Sequence, residues 1–193
     1  MIVKGHDFPN VTLVGIIAAD MSLYASDYRS FVKTFQLLSQ AEGRAGRGSI
    51  DGEAVIQTYS PENGSIIAAS KQDYTEFYNK EILYRTISEY PPVVSLMAVQ
   101  LTSKDNSLLS DQANKIKDMI GKAVVDIKNL RIIGPADANV AKINDVYRKV
   151  IYIKSREYDI LVKIKDFIEA QFEVMEENKR ASVQFDFNPM SGF

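Results

Sequence analysis

Residues 40–48 read Gln40-Ala41-Glu42-Gly43-Arg44-Ala45-Gly46-Arg47-Gly48, two arginines three residues apart among glycines that let the backbone approach a charged ligand. An arginine presents a planar fork of donors that grips two phosphate oxygens at once, and it keeps its charge at any physiological pH. Beside a transferring phosphoryl group such an arginine can be worth roughly a thousandfold or more in rate. The same chain carries no Gly-x-x-x-x-Gly-Lys-Ser/Thr loop to hold a nucleotide. A bland alternative is a loop with two solvated arginines.

Other chemistries are limited by composition. The 193 residues include no cysteine and one histidine, His6, which excludes disulfides, a thiolate zinc site and any multi-histidine metal site. His6-Asp7 resembles half of a hydrolytic dyad, and a structural hydrogen-bonded pair is the competing reading. Net charge is -2, so a nucleic-acid partner would have to be met by local patches rather than a global basic field. Residues 1–92 hold 8 Lys/Arg against 11 Asp/Glu, and residues 93–193 hold 15 against 14. No apolar run nears the roughly 20 residues that span a bilayer, and the N-terminus shows no charged leader with an apolar core. The expectation is a cytoplasmic protein without a membrane partner.

The elements that must position these residues follow from periodicity. Residues 11–19 (VTLVGIIAA) form a continuous β-branched run, expected to be a strand buried on both faces of a parallel sheet. Asp20 follows it, either at the carboxyl end where open α/β sheets place ligands or as a loop or cap carboxylate. Asp27 is expected to cap a helix carrying Phe31, Phe35, Leu38 and Ala41 on one face, loosened or ended by residues 43–48. Arg44 and Arg47 share a face if that helix persists. Residues 53–59 read as a strand, 60–64 as a Pro/Gly turn, 65–70 and 73–88 as helices, the second with Phe77, Ile82, Leu83 and Ile87 apolar and stopped by Pro91-Pro92.

Beyond this break the pattern reads β-α-β-β-α-β: strand 93–101, helix 105–122, strand 130–133 ended by Gly134-Pro135, strand 147–153, helix 157–174 and strand 182–187. That order predicts a ferredoxin-like sandwich over residues 93–193, after an α/β unit over 1–92. Lys142, Arg148, Lys149, Lys154 and Arg156 flank the fourth of these segments, as phosphate contacts or as a solvated face. Tyr24, Tyr28, Tyr74 and Tyr78 offer stacking surfaces or boundary packing.

Several ordered elements together resemble the bacterial replication-restart helicases of the primosomal protein N′ family. Residues 1–8 (MIVKGHDF) look like that family's fifth helicase motif, and residues 40–48 like its sixth; Ala18-Ala19-Asp20, Asp27-Tyr28-Arg29, residues 34–38 (TFQLL), Gly52-Glu53, residues 56–59 (IQTY) and Tyr90-Pro91-Pro92 follow in its order. One departure is Ala41-Glu42 where the family pattern has Val-Ala, which puts a carboxylate within reach of Arg44 or Arg47.

The resemblance implies part of a superfamily 2, ATP-driven 3′-to-5′ DNA helicase of primosome assembly and fork restart: the end of a second RecA-like lobe, then a ferredoxin-like domain. It implies Arg47 as an arginine finger and Arg44 as its neighbour, with Gln40, Gly43, Gly46, Gly5 and Asp7 coupling ATP to motion. Lys4 and His6 would contact DNA, as would Arg148 and Lys149 of the second domain. ATP with magnesium belongs to the full-length family protein, and neither is expected to bind the present chain alone. Implied partners are forked or single-stranded DNA, the single-strand-binding protein and primosome proteins. The exposed strand edge of a shortened lobe predicts a homodimer or a rearranged N-terminal half. Two rivals remain: a non-catalytic DNA- or protein-binding module, and a small-molecule enzyme with a ferredoxin-like domain.

Overall fold

The computed structural model describes residues 10–25, 27–46, 51–124, 127, 129–174 and 180–190. The chain divides into two compact units, Met1–Tyr84 and Arg85–Phe193. It is mixed α/β, with a parallel strand pair in the first unit and an antiparallel sheet in the second.

In the first unit, β1 (Leu13–Ile16) pairs in parallel with β2 (Glu53–Ile56), Leu13 opposite Glu53 and Ile16 opposite Ile56. Helix α1 (Ser30–Glu42) makes the crossover between them, and α2 (Gly64–Ser70) and α3 (Tyr74–Ser88) follow. Phe35 and Leu38 of α1, Ile66, Ala68 and Ala69 of α2 and Phe77 of α3 form the buried core with Ala19 and Leu23. The rings of Phe35 and Phe77 stack with centroids 4.3 Å apart, locking α3 onto α1.

Two sequence expectations change here. The first strand is not buried on both faces: Leu13 is 61% exposed, and burial alternates along β1 and β2 alike. Alternate side chains point to opposite faces of a strand, and the helices' packing covers the face of Ile16 and Ile56. Asp27 is not the N-cap of α1, a position held by Arg29. Its carboxylate instead accepts the Arg29 backbone N–H at 2.9 Å and pairs with Lys33, closing the turn that precedes the helix. On α3, Phe77 is buried whereas Leu83 and Ile87 are exposed, because the helix meets its own unit's core through the Phe77 side.

The second unit contains β3 (Ser95–Ser103), α4 (Asn106–Ala123), β4 (Leu130–Ile143), β5 (Val146–Ser155), α5 (Tyr158–Val174) and β6 (Ala181–Phe187). The sheet order is β4-β5-β3-β6, antiparallel throughout. Each strand-helix-strand crossover is therefore split by a third strand, the arrangement of a ferredoxin-like sandwich. Leu109, Ala113, Ile116 and Ile120 recur at helical spacing on α4 and pack with Leu161, Ile164 and Ile168 of α5 against Met97, Val99, Leu101, Ile151 and Ile153. Asp105 caps α4 by accepting the N–H groups of Ser107 and Leu108.

Gly134-Pro135 does not end β4 as the sequence suggested. The strand continues to Ile143 past a register shift between Ile133 and Ala136. β4 is an edge strand, so Pro135 lacks an N–H where no ladder partner requires one. Gly134 has φ +102°, and a Cβ there would stand 2.8 Å from the Val150 carbonyl oxygen. The hairpin to β5 closes through Asn144 and Asp145, both at positive φ, the requirement of a tight primed turn.

Candidate functional site

The glycine-arginine stretch begins where α1 ends. Glu42 is the last helical residue, and Gly43, Arg44 and Ala45 donate their N–H groups to the carbonyls of Ser39, Ala41 and Glu42. Gly46 turns to φ +71° and donates to the Val11 carbonyl at 2.9 Å. Helical geometry therefore stops before Arg47, and the condition under which Arg44 and Arg47 would share a helix face is not met. Gly52 lies so close that a Cβ on it would be 2.1 Å from the Gly46 nitrogen. Two glycines thus let the chain leave the helix and enter β2 in a crossing no other residue type could make without displacing backbone.

Gln40 is exposed on the last turn of α1, Gly43 is exposed, and Arg44 is half-buried. These residues and Gly46 sit together at the amino ends of β1 and β2. Arg47 and the fifth-motif residues Lys4, Gly5, His6 and Asp7 lie outside the described residues.

Asp20 is at the other end of the same strands. Its buried carboxylate accepts the Tyr59 N–H at 2.9 Å and the Thr58 hydroxyl at 2.8 Å, and these bonds hold its pKa below the usual carboxylate range. It braces the two chains leaving β1 and β2, so the loop-carboxylate alternative is the one observed. Arg44 and Asp20 do not converge on one site.

Glu42 is 8% exposed, and its acidity is pushed above the usual glutamate value of 4.5 by burial. A guanidinium beside it would act in the opposite direction, and burial alone accounts for the shift. It lines a cavity of about 530 Å³ along the inner face of β2. Nothing in the sequence announced this cavity, which arises because Gly52, Ala54, Ile56 and Thr58 share one face of a strand opposite α2.

In the second unit the alternation of β5 sends Arg148 and Lys149 to opposite faces. Lys149 is on the helix side and pairs with Asp137 at 2.7 Å; Arg148 sits opposite Thr102 and Ser182 on the other face of the sheet. Lys142 pairs with Asp145 at 2.8 Å and lies 4.9 Å from the Tyr147 ring centroid. Lys154 departs from the expected solvated flank. It is buried, with its ammonium 3.9 Å from the Tyr90 ring centroid and donating to the Ser88 carbonyl at 3.1 Å. Burial lowers its pKa. Arg131 reaches Glu89 at 2.8 Å, so β4 and β5 together clamp the segment that follows α3.

Tyr24 is exposed, as is Tyr59, and the Tyr24 hydroxyl meets the Ser60 hydroxyl at 3.1 Å; Tyr74 and Tyr78 pack as neighbours, Tyr74 against Phe35. Tyr28 accepts from Arg29 at 2.7 Å. Among the described residues no group of three or more His, Cys, Asp or Glu is placed to hold a metal, and no helix is long and apolar enough to cross a membrane.

Comparison with known proteins places this geometry. Residues 87–190 match the family model described as the primosomal protein N C-terminal domain. The chain is 38% identical over 190 residues to the replication restart protein PriA of Bacillus subtilis, covering 98% of this chain and 23% of that protein. It is 35% identical to the Chlamydia trachomatis PriA, over 88% of this chain and 22% of the relative. The Synechocystis PriA is 34% identical, over 87% and 19%. The chain thus spans about a quarter of the length of the relatives it matches. With more than half its residues inside the family model and a split β-α-β sandwich occupying that span, the chain belongs to the PriA family through its primosomal protein N C-terminal domain.

Proposed function

We propose that this chain acts in replication restart as a C-terminal portion of a DNA helicase, residues 1–92 forming the latter part of a second RecA-like lobe, and that it does not hydrolyse ATP by itself. The observation that carries the reading is the parallel β1-α1-β2 crossover ending in a glycine-arginine turn, in a sequence with no nucleotide-cradling loop. A half-buried guanidinium suits a phosphate or carboxylate partner, but one arginine cannot replace a loop of converging N–H donors. ATP with magnesium would be held by another lobe, with Arg44 and Arg47 approaching it and Gln40, Gly43, Gly46, Gly5 and Asp7 relaying its state. Lys4 and His6 would meet the DNA backbone.

Nucleotide hydrolysis by this chain, with and without forked DNA, tests the reading. The expected result is no turnover above buffer; turnover abolished by Arg47→Ala overturns it.

A second reading, a non-catalytic module for DNA or a replication protein, is favoured by Arg148, which lies across the sheet from the helices with Thr102 as its register partner on β3. Fluorescence anisotropy with forked DNA at two salt concentrations separates the two, because phosphate contacts make binding salt-sensitive. Salt-sensitive binding supports the module, and its absence removes it.

A further inference from the structure

The cavity beneath β2 is lined by a carboxyl group that no described residue answers. Glu42 is more than nine-tenths buried and lines this space of about 530 Å³, and its carboxyl group has no hydrogen bond or ion pair among the described residues. A charge withdrawn from water without a partner is costly, and groups in that position are paired or take up a ligand. The volume falls within the roughly 300–1,000 Å³ of small-molecule sites.

The remaining lining narrows the chemistry. Thr58 spends its hydroxyl proton on Asp20 at 2.8 Å, and Ser70 spends its own on the Ile67 carbonyl at 3.0 Å. Thr58 also accepts the Ser60 N–H at 3.0 Å, so each hydroxyl has only acceptor capacity left to offer the cavity, as an ionised Glu42 does. Ala54, Ile56, Ile66 and Ile67 supply apolar wall between them. Gln72 adds an amide that both donates and accepts. A guest rich in donors, with a positive charge and a short hydrocarbon stem, answers the acceptors that remain; a guanidinium, with five N–H donors in a plane, has that inventory.

We propose that the cavity is a binding site for an alkylguanidinium group, with Glu42 as its counter-charge. The group can belong to a free small molecule or to an arginine side chain of a peptide, and the two share one recognition chemistry.

The test is a nitrogen-edited NMR titration of the full chain with three probes: n-butylguanidinium, its neutral isostere n-butylurea, and N-acetyl-arginine methylamide. Saturable shifts at Ala45, Ala54, Ile56 and Ile66 are expected with a guanidinium probe, weakened about tenfold or more in Glu42→Gln, the scale of one charge-assisted hydrogen bond. Glu53→Gln, on the opposite face of β2, should leave them unchanged. Tighter binding of the arginine derivative identifies a peptide side chain as the source, and tighter binding of butylguanidinium a free ligand. Butylurea binding as well as butylguanidinium in the unmodified chain overturns the proposal, as does the absence of saturable shifts at millimolar probe.

Discussion

The Asp20 carboxylate accepts the Tyr59 backbone N–H at 2.9 Å, joining the chain just past β1 to the chain just past β2, 39 residues later. A two-stranded parallel sheet has few ladder bonds, so this brace carries much of its alignment. Asp20→Ala is expected to lower the melting temperature of the first unit and to accelerate amide exchange in residues 53–59. The pKa of Asp20 is lowered by its hydrogen bonds. Its contribution to stability is therefore present above the unfolded value near 3.8 and lost as pH falls through the folded one. Asp20→Asn should flatten the acid limb of a stability-against-pH curve measured by circular dichroism, and an unchanged acid limb would contradict the brace.

Gly52 and Gly15 give opposite expectations for one substitution. A methyl at Gly52 would meet the backbone of Gly46 at 2.1 Å, whereas nothing lies within 4 Å of a Cβ at Gly15. Gly52→Ala should cost about 1–3 kcal/mol or more in urea denaturation, as overpacking against backbone does. Gly15→Ala should be neutral or gain up to about 1 kcal/mol, since a strand glycine forfeits chain entropy on folding.

Lys154 tests whether burial of its ammonium has a structural purpose. Lys154→Ala removes the contact with the Tyr90 ring and the bond to the Ser88 carbonyl, a loss of about 1.5–3 kcal/mol on the scale of hydrogen bonds to charged groups. Lys154→Met keeps the stem over Tyr90 and should cost less. Because burial depresses this lysine's pKa, its contribution rises as pH increases from the folded value toward the ordinary 10.5. Thermal melts of the two variants between neutral and alkaline pH read both effects.

Arg148 and Lys149 are neighbours in sequence and separate in space. Lys149 is held by Asp137, while Arg148 lies on the face of the sheet away from the helices. If DNA meets that face, Arg148→Ala should weaken binding across all sequences and reduce the salt slope by about one. Lys149→Ala should change anisotropy less. A larger loss at Lys149 would place DNA on the helix side instead.

Much of the architecture was legible before any coordinates. The second unit's order of strands and helices follows from periods of two and 3.6, and its core from Leu109, Ala113, Ile116 and Ile120 recurring on α4. The ends of α1 were legible only in part. Local propensity favours Asp27 as a cap, yet the structure uses its carboxylate two residues before the cap, with Lys33. Gly134-Pro135 suggests a stop because proline cannot serve a central strand, and whether β4 is central or at an edge is a property of the assembled sheet.

The order of elements, the absence of thiol chemistry and the glycine-arginine stretch were fixed by residue type and spacing alone, because backbone geometry and side-chain inventory are local. Which charges meet was decided only by the fold. Tertiary packing put Asp20 on Tyr59, buried Lys154 over Tyr90, and left Glu42 lining a cavity. A carboxylate's partner depends on what surrounds it in three dimensions, where desolvation and neighbouring charge decide its energy, and spacing along a chain does not carry that information.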